Sequence, residues 1–359
     1  MVDRNPGVED RARLERDSYF VIKRGRPASS ASEAPRLNPG ALVGGLAGIG
    51  LAAWLLSRYG VVPILEVLAR VGWLGMLAII LFHFPPMLCS ALGWQAIAGA
   101  DGLQSRTRTY FLLRWVREGV NNLLPAAQIA GEFVVARLLR RRGVPLATAI
   151  GGTIADLMLQ MATQVLFTVL GVVLLARAVG HTGLVAALTN GLLFAALIVA
   201  TVFAAMWLGL AAAIEKAVVR VGRSLGWPVT GQVGGLHEAL IGCYRSVGRV
   251  AAGAWWHLLS WVLGSIEVWL LLRFFGRDTG IGPALIIESL GQAAKSVGFV
   301  VPGAIGVQEG GYVIVCRLLG IPPEVAIALS LAKRLREVAV GLPGLFLWMR
   351  ARQADARAA

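Results

Sequence analysis

Long uncharged apolar runs decide what this chain can fold into. Stretches of about 18 residues or more with few charges recur from residue 40 onward, the length a helix needs to cross the hydrocarbon core of a bilayer. Blocks suited to full crossings cover roughly 40–57, 72–98, 146–178, 185–211, 251–275 and 322–349. With 57% of 359 residues hydrophobic and only 15% charged, a soluble enzyme built around one core is excluded. The expected fold class is all-α, a polytopic integral membrane protein.

Two further stretches, 106–142 and 279–320, are mostly apolar but carry charges, amides, glycines and a central proline. Irregular backbone at membrane depth is tolerated only inside protein or beside a wet cavity, so both are expected to be broken or re-entrant helices. If each were instead two full spans, the crossings would number ten. The basic, glycine-containing segment 212–250 fits an interfacial helix better than a span. Residues 1–36, with eight Lys/Arg against six Asp/Glu and a Pro/Ser/Ala-rich end, are expected to form a disordered cytoplasmic tail. They lack the layout of a cleavable signal. Residues 351–359 form a second tail.

A net charge of +14 would suggest nucleic acid in a soluble chain, but here the basic residues flank apolar blocks. Of 34 Lys/Arg, 24 fall on one side of the expected topology, six on the other and four within apolar segments. The excess marks the cytoplasmic side, so both termini are expected there, in a bacterial inner membrane, and no nucleic-acid partner is expected. Cys89, Cys243 and Cys316 lie far apart, as do the four histidines, so no disulfide framework, metal site or cofactor is expected. Gly40, Gly44 and Gly48 form a small-residue ladder that suits helix packing within the monomer, or a homodimer.

The interrupted stretches match each other without a gap. Pro125, Glu132, Gly143, Pro145, Ala149 and Ile150 recur 177 residues later as Pro302, Glu309, Gly320, Pro322, Ala326 and Ile327. This periodicity indicates duplication, with one repeat over 37–180 and the other over 181–350. Each half crosses an odd number of times, so the second is expected to be inverted, the layout of transporters whose substrate site lies between the halves. A duplication that only supplies packing is the alternative.

Charges inside the apolar blocks are the candidate site. Each would cost about 2.5 to 3.5 kcal/mol at the centre of a lone helix, so these residues must pair or line water. Glu132 and Glu309 follow a helix-breaking proline by seven residues, within motifs that contain Pro125, Pro302, Gly303 and Gly306. There a carboxylate can cap a half-helix, take a proton or hold a cationic head group. Asp156 and Lys333 are equivalent across the repeat, as are Gln160 and Glu337, and an ion pair between Asp156 and Lys333 is expected. Arg117, Glu118, Asn121 and Asn122 precede the first break, and Lys295 and Arg336 lie within apolar segments of the second half. Guanidinium groups on either side of the first break, Arg114 and Arg117 before it and Arg137 to Arg142 after it, suit lipid phosphates or carboxylates, with positive-inside anchoring the alternative for Arg140, Arg141 and Arg142.

The runs WVREGVNNLLPAAQIAGE, Trp115 to Glu132, and VPGAIGVQEGG, Val301 to Gly311, resemble the paired signatures of the flippase-like membrane region of lysylphosphatidylglycerol synthases. The run from Arg117 to Pro125 is similar to the hopanoid-biosynthesis-associated branch of that family. The resemblance covers roughly 40–350 and implies translocation of a polar-headed lipid, such as a hopanoid or its precursor, with lipid-biosynthesis enzymes as partners. The sequence ends ten residues after Met349, so the soluble aminoacyl-transferase domain of those synthases, and lysine transfer, are not expected. No Walker A motif, Asp-rich pair or histidine box is present, which weighs against ATP-driven transport and against a membrane enzyme. A scaffold for lipid biosynthesis is the remaining alternative.

Overall fold

The computed structural model describes residues 50–51, 53–98, 107–124, 130–180, 183–210, 212–213, 216, 235–297 and 304–358, and every regular element among them is helical. In chain order they are α1 (Val61–Ala69), α2 (Gly72–Phe82), α3 (Phe84–Ala98), α4 (Thr107–Leu123), α5 (Ala130–Arg140) and α6 (Leu146–Val179). There follow α7 (Gly183–Ala205), α8 (Leu236–Tyr244), α9 (Val247–Phe274), α10 (Ile281–Val297), α11 (Val307–Leu318) and α12 (Pro323–Ala358). A π-helical turn, Met206–Leu210, extends α7.

Among the described residues four lengths are long and apolar enough to cross a membrane: Gly72–Ala98, Leu146–Val179, Ala186–Leu210 and Val247–Phe274. These match four of the six blocks read from the sequence. The last block lies within α12, whose 36 residues extend about 54 Å at 1.5 Å per residue but carry Lys333, Arg334, Arg336 and Glu337 mid-way. Most of block 40–57, the glycines at 40, 44 and 48, and the tail 1–36 lie outside the described residues. So do residues 217–234 of the expected interfacial segment, whose described part contains α8, nine residues long and too short to span. Helix α7 is apolar on every side, and Leu193, Phe194 and Leu197 are all exposed, a surface that hydrocarbon can cover and water cannot.

Each interrupted stretch is a pair of helices packed on one another, α4 with α5 and α10 with α11. The second members, 11 and 12 residues long, cannot cross alone. Pro125, Pro302 and Gly303 lie outside the described residues. On the far side of each break the 177-residue register holds: Ala130 and Val307 are both helical, and α6 begins at Leu146 and α12 at Pro323. Between them Gly143 and Gly320 turn at φ 87° and 69°, the left-handed region that favours glycine. The Gly143 N–H donates to the Arg140 carbonyl at 3.0 Å and the Val144 N–H to that of Leu139 at 3.3 Å. In the second half Gly320 donates to Arg317 at 3.1 Å and Ile321 to Cys316 at 2.8 Å. Both helices thus end in the same Schellman lock, and the proline after it, Pro145 or Pro322, immediately precedes the next helix.

The first half packs around Trp94, Tyr110, Val135 and Leu139, between α3, α4 and α5, while a larger cluster joins α1, α2, α9, α10, α11 and α12 around Ile287, Phe275 and Tyr312. The halves meet backbone to backbone where α4 crosses α12. A Cβ on Gly119 would lie 2.6 Å from the Gly341 carbonyl oxygen, and one on Gly344 would lie 2.5 Å from that of Trp115. Glycine at such a crossing lets two helices approach closely without a hydrophobic driving force. The Trp115 indole N–H reinforces the contact by donating to the Val340 carbonyl at 2.7 Å.

Candidate functional site

Helix α4 is the working face of the first half. Arg114, Arg117, Glu118, Asn121 and Asn122 are spaced at i, i+3, i+4, i+7 and i+8, so the 3.6-residue period brings all five to one side. That side lines a cavity of about 510 Å³, whose wall is completed by residues of α3, α5, α6, α9, α10 and α12. Its walls therefore come from both sequence repeats. Met87, Leu157, Met161 and Trp261 supply apolar lining beside the charges.

Arg117 is buried and holds the first half of the site together. Its Nε donates to Glu132 at 2.9 Å and its Nη1 to Asp156 at 2.5 Å, joining α4 to α5 and α6. Asn121 donates to Glu132 at 3.1 Å and accepts the Gly131 N–H at 2.7 Å, closing the start of α5. The close approach needs Gly131, because a Cβ there would lie 2.6 Å from the Arg117 carbonyl oxygen. The second oxygen of Asp156 faces His257 Nε2 at 3.0 Å, a contact from the first half to α9.

A second group spans the middle of the cavity. His83 lies where α2 meets α3, its Nε2 2.7 Å from Glu118 and its Nδ1 3.3 Å from Glu267. Only a doubly protonated ring can donate to both carboxylates. Arg336 from α12 donates through Nε to Glu267 at 3.1 Å and brings Nη1 to 3.3 Å from the same histidine ring. In the second half Lys333 pairs with Glu288, which also accepts from Gln292 at 2.8 Å, and Lys295 pairs with Glu337 at 2.7 Å. Gln164 donates to Ser296 at 2.7 Å, and Gln160 reaches Ser90 at 3.5 Å.

Of the residues expected from the sequence, Arg117, Glu118, Asn121, Asn122, Glu132, Gln160, Lys295, Arg336 and Glu337 line this cavity. Asp156 and Lys333 stand behind it, each bound to a lining residue. The expected pair between those two does not form. Each charge is instead met by other partners, Arg117 and His257 for Asp156 and Glu288 for Lys333.

Glu309 is not among the lining residues. It is a helix cap: Oε2 accepts the Gly306 N–H at 2.6 Å, and Oε1 accepts from Ser330 at 3.1 Å and Arg334 at 2.6 Å. Ala304 and Gly306 precede it at φ 49° and 81°, so the glycine-rich segment does bend sharply, and it does so to begin α11. His83 and His257 are members of these networks absent from the expected site, whereas Glu267 and Glu288, charges within apolar segments that must pair or line water, do both here. The scattered histidines carry no metal-ligand spacing, but the cost of a polar group in hydrocarbon points to them as it does to the acids.

The model of the lysylphosphatidylglycerol synthase transmembrane region matches residues 41–344. A UPF0104 membrane protein of Methanothermobacter thermautotrophicus is similar, 25% identical over 319 residues that cover 80% of this chain and 88% of that protein. No solved structure matches. The match over most of the chain agrees with the two signature runs from which the resemblance was read, and with the helical architecture around them. This multi-pass membrane protein belongs to the lysylphosphatidylglycerol synthase transmembrane-region family.

Proposed function

We propose that the protein translocates a polar-headed lipid between the leaflets of the bacterial inner membrane, with a hopanoid or its precursor among the candidates. The observation that carries this reading is the cavity of about 510 Å³ walled by both sequence repeats. It combines ion pairs and amides with an apolar side, the mixture that a polar head and the start of its hydrocarbon require, and its size suits a small-molecule site. In this reading the halves are inverted, both termini are cytoplasmic, and alternate opening of the cavity carries the head group across. Transport is passive or coupled to an ion gradient, and no chemical step is assigned. Lipid-biosynthesis enzymes and a second copy of the chain are partners consistent with this role.

The test is exchange of labelled lipids, a hopanoid included, between leaflets of proteoliposomes, with and without a proton gradient. Wild type is expected to exchange lipid and Glu132→Gln to lose it, since that change removes a charge facing the cavity. Glu309→Gln is expected to keep it, because an amide oxygen still accepts the capping N–H. No exchange by wild type for any lipid, with normal pathway product dependent on the protein, would replace translocation by a scaffold or enzyme.

A further inference from the structure

We infer that the cavity takes an anionic phosphate group and that Arg114 is the residue that receives it. This inference rests on the translocation reading for the source of the phosphate and on the geometry alone for the site.

Every carboxylate in the cavity wall already faces a cationic or donor side chain. Glu132 has Arg117, Glu118 has His83, Glu267 has His83 and Arg336, Glu288 has Lys333, and Glu337 has Lys295. Of the wall's arginines and lysine, three are therefore committed: Arg117, Lys295 and Arg336. Arg114 is different. It lies on the cavity face of α4, yet it forms no ion pair and no hydrogen bond among the described residues, and its Nε is shut away from solvent without a partner. The acids whose charge acts on it, Glu118, Asp156 and Glu132, are held by His83, Arg117, His257 and Asn121.

A buried guanidinium N–H left unpaired is costly, and each carboxylate that could satisfy it would have to abandon another cation. A ligand oxyanion in the cavity can pair with the outer guanidinium nitrogens, which are not shut away, without disturbing any existing pair. Guanidinium matches phosphate in charge and in the fork of donors it offers, and the amide of Asn122, further along the same face, can meet ester or hydroxyl oxygens. An ammonium-bearing head group would meet only carboxylates that already face a cation.

Binding to the purified full-length protein in maltoside micelles tests this directly. The probes are dihexanoyl phosphatidylglycerol, dihexanoylglycerol with the same chains but no phosphate, and glycerol 1-phosphate with no chains. Wild type should bind the phospholipid more tightly than dihexanoylglycerol. Arg114→Gln should weaken the phospholipid by about tenfold or more and leave dihexanoylglycerol unchanged, and Arg114→Lys should recover part of the loss. Arg317→Gln, on an exposed position away from the cavity, controls for charge alone. Thermal melting shows that each variant is folded. Equal phospholipid affinity in folded Arg114→Gln, or equal wild-type affinity for the two dihexanoyl probes, overturns the proposal. If glycerol 1-phosphate competes as well as the phospholipid, and does so only when Arg114 is present, the phosphate site stands and its ligand is soluble. Arg114-dependent phospholipid binding without any leaflet exchange likewise keeps the site and removes translocation.

Discussion

Lys333 shows what a single ionisable residue does in this protein. Its side chain is buried, its ammonium rests on Glu288, and the Tyr312 ring centroid lies 5.9 Å away. Lys333→Met is expected to cost about 3–5 kcal/mol, because it leaves a buried carboxylate without its cation. Adding Glu288→Leu should recover most of that loss. Thermal melts of the two single variants and the double variant measure the coupling, and additive losses would refute it. That such residues matter was legible in the sequence, since hydrocarbon makes each charge conspicuous. Their partners were not: the i, i+4 spacing of Asp156 and Gln160 fixes a helix face, but not which neighbour that face meets. Arg117 and Asp156 lie 39 positions apart, and only the packing of both α4 and α6 on α3 and α5 brings them together.

At the scale of elements, the turn chemistry was the most readable part. A glycine followed by Val or Ile and then proline dictates a left-handed helix end and a fresh start, and both copies fold that way. The two breaks were likewise visible from proline and glycine among apolar residues. The division of labour between the motif glutamates was hidden, because capping and cavity lining use the same residue at the same register. The crossing of α4 on α12 was hidden too, since glycines at 119, 341 and 344 look like ordinary membrane-helix composition until the helices are placed. Gly119→Ala should force the two helices apart and cost about 1–3 kcal/mol, the usual range for overpacking. A lowered melting temperature for Gly119→Ala, with no change for Gly248→Ala where the added methyl meets open space, is the expected pattern. Equal stability of Gly119→Ala and wild type would show that the crossing tolerates a side chain.

For the whole molecule, the membrane class followed from apolar run length alone, while the cavity did not, because it is formed by helices more than 200 positions apart in the chain. The orientation read from the basic residues makes a direct prediction. Cysteines placed at Ser29 and Gln353 should resist a membrane-impermeant maleimide in intact cells and react in inside-out vesicles. The native thiols of Cys89, Cys243 and Cys316 are all buried, so background labelling should be low. Labelling of either site in intact cells would reverse the orientation.

The buried pairs of the two halves carry opposite polarity. In the first half the base sits on the shorter helix and the acid on the long one, Arg117 with Asp156. In the second the order is exchanged, Glu288 with Lys333. At the matching positions, 177 residues away, Arg117 is replaced by Ala294 and Glu288 by Phe111. Neither arrangement can readily drift into the other one residue at a time, because every intermediate leaves a buried charge short of a partner. Among relatives, then, positions 117 and 156 should change as a couple or stay as they are, and the same should hold for 288 and 333. Once the halves had diverged in this way, each was committed to its own side of the molecule.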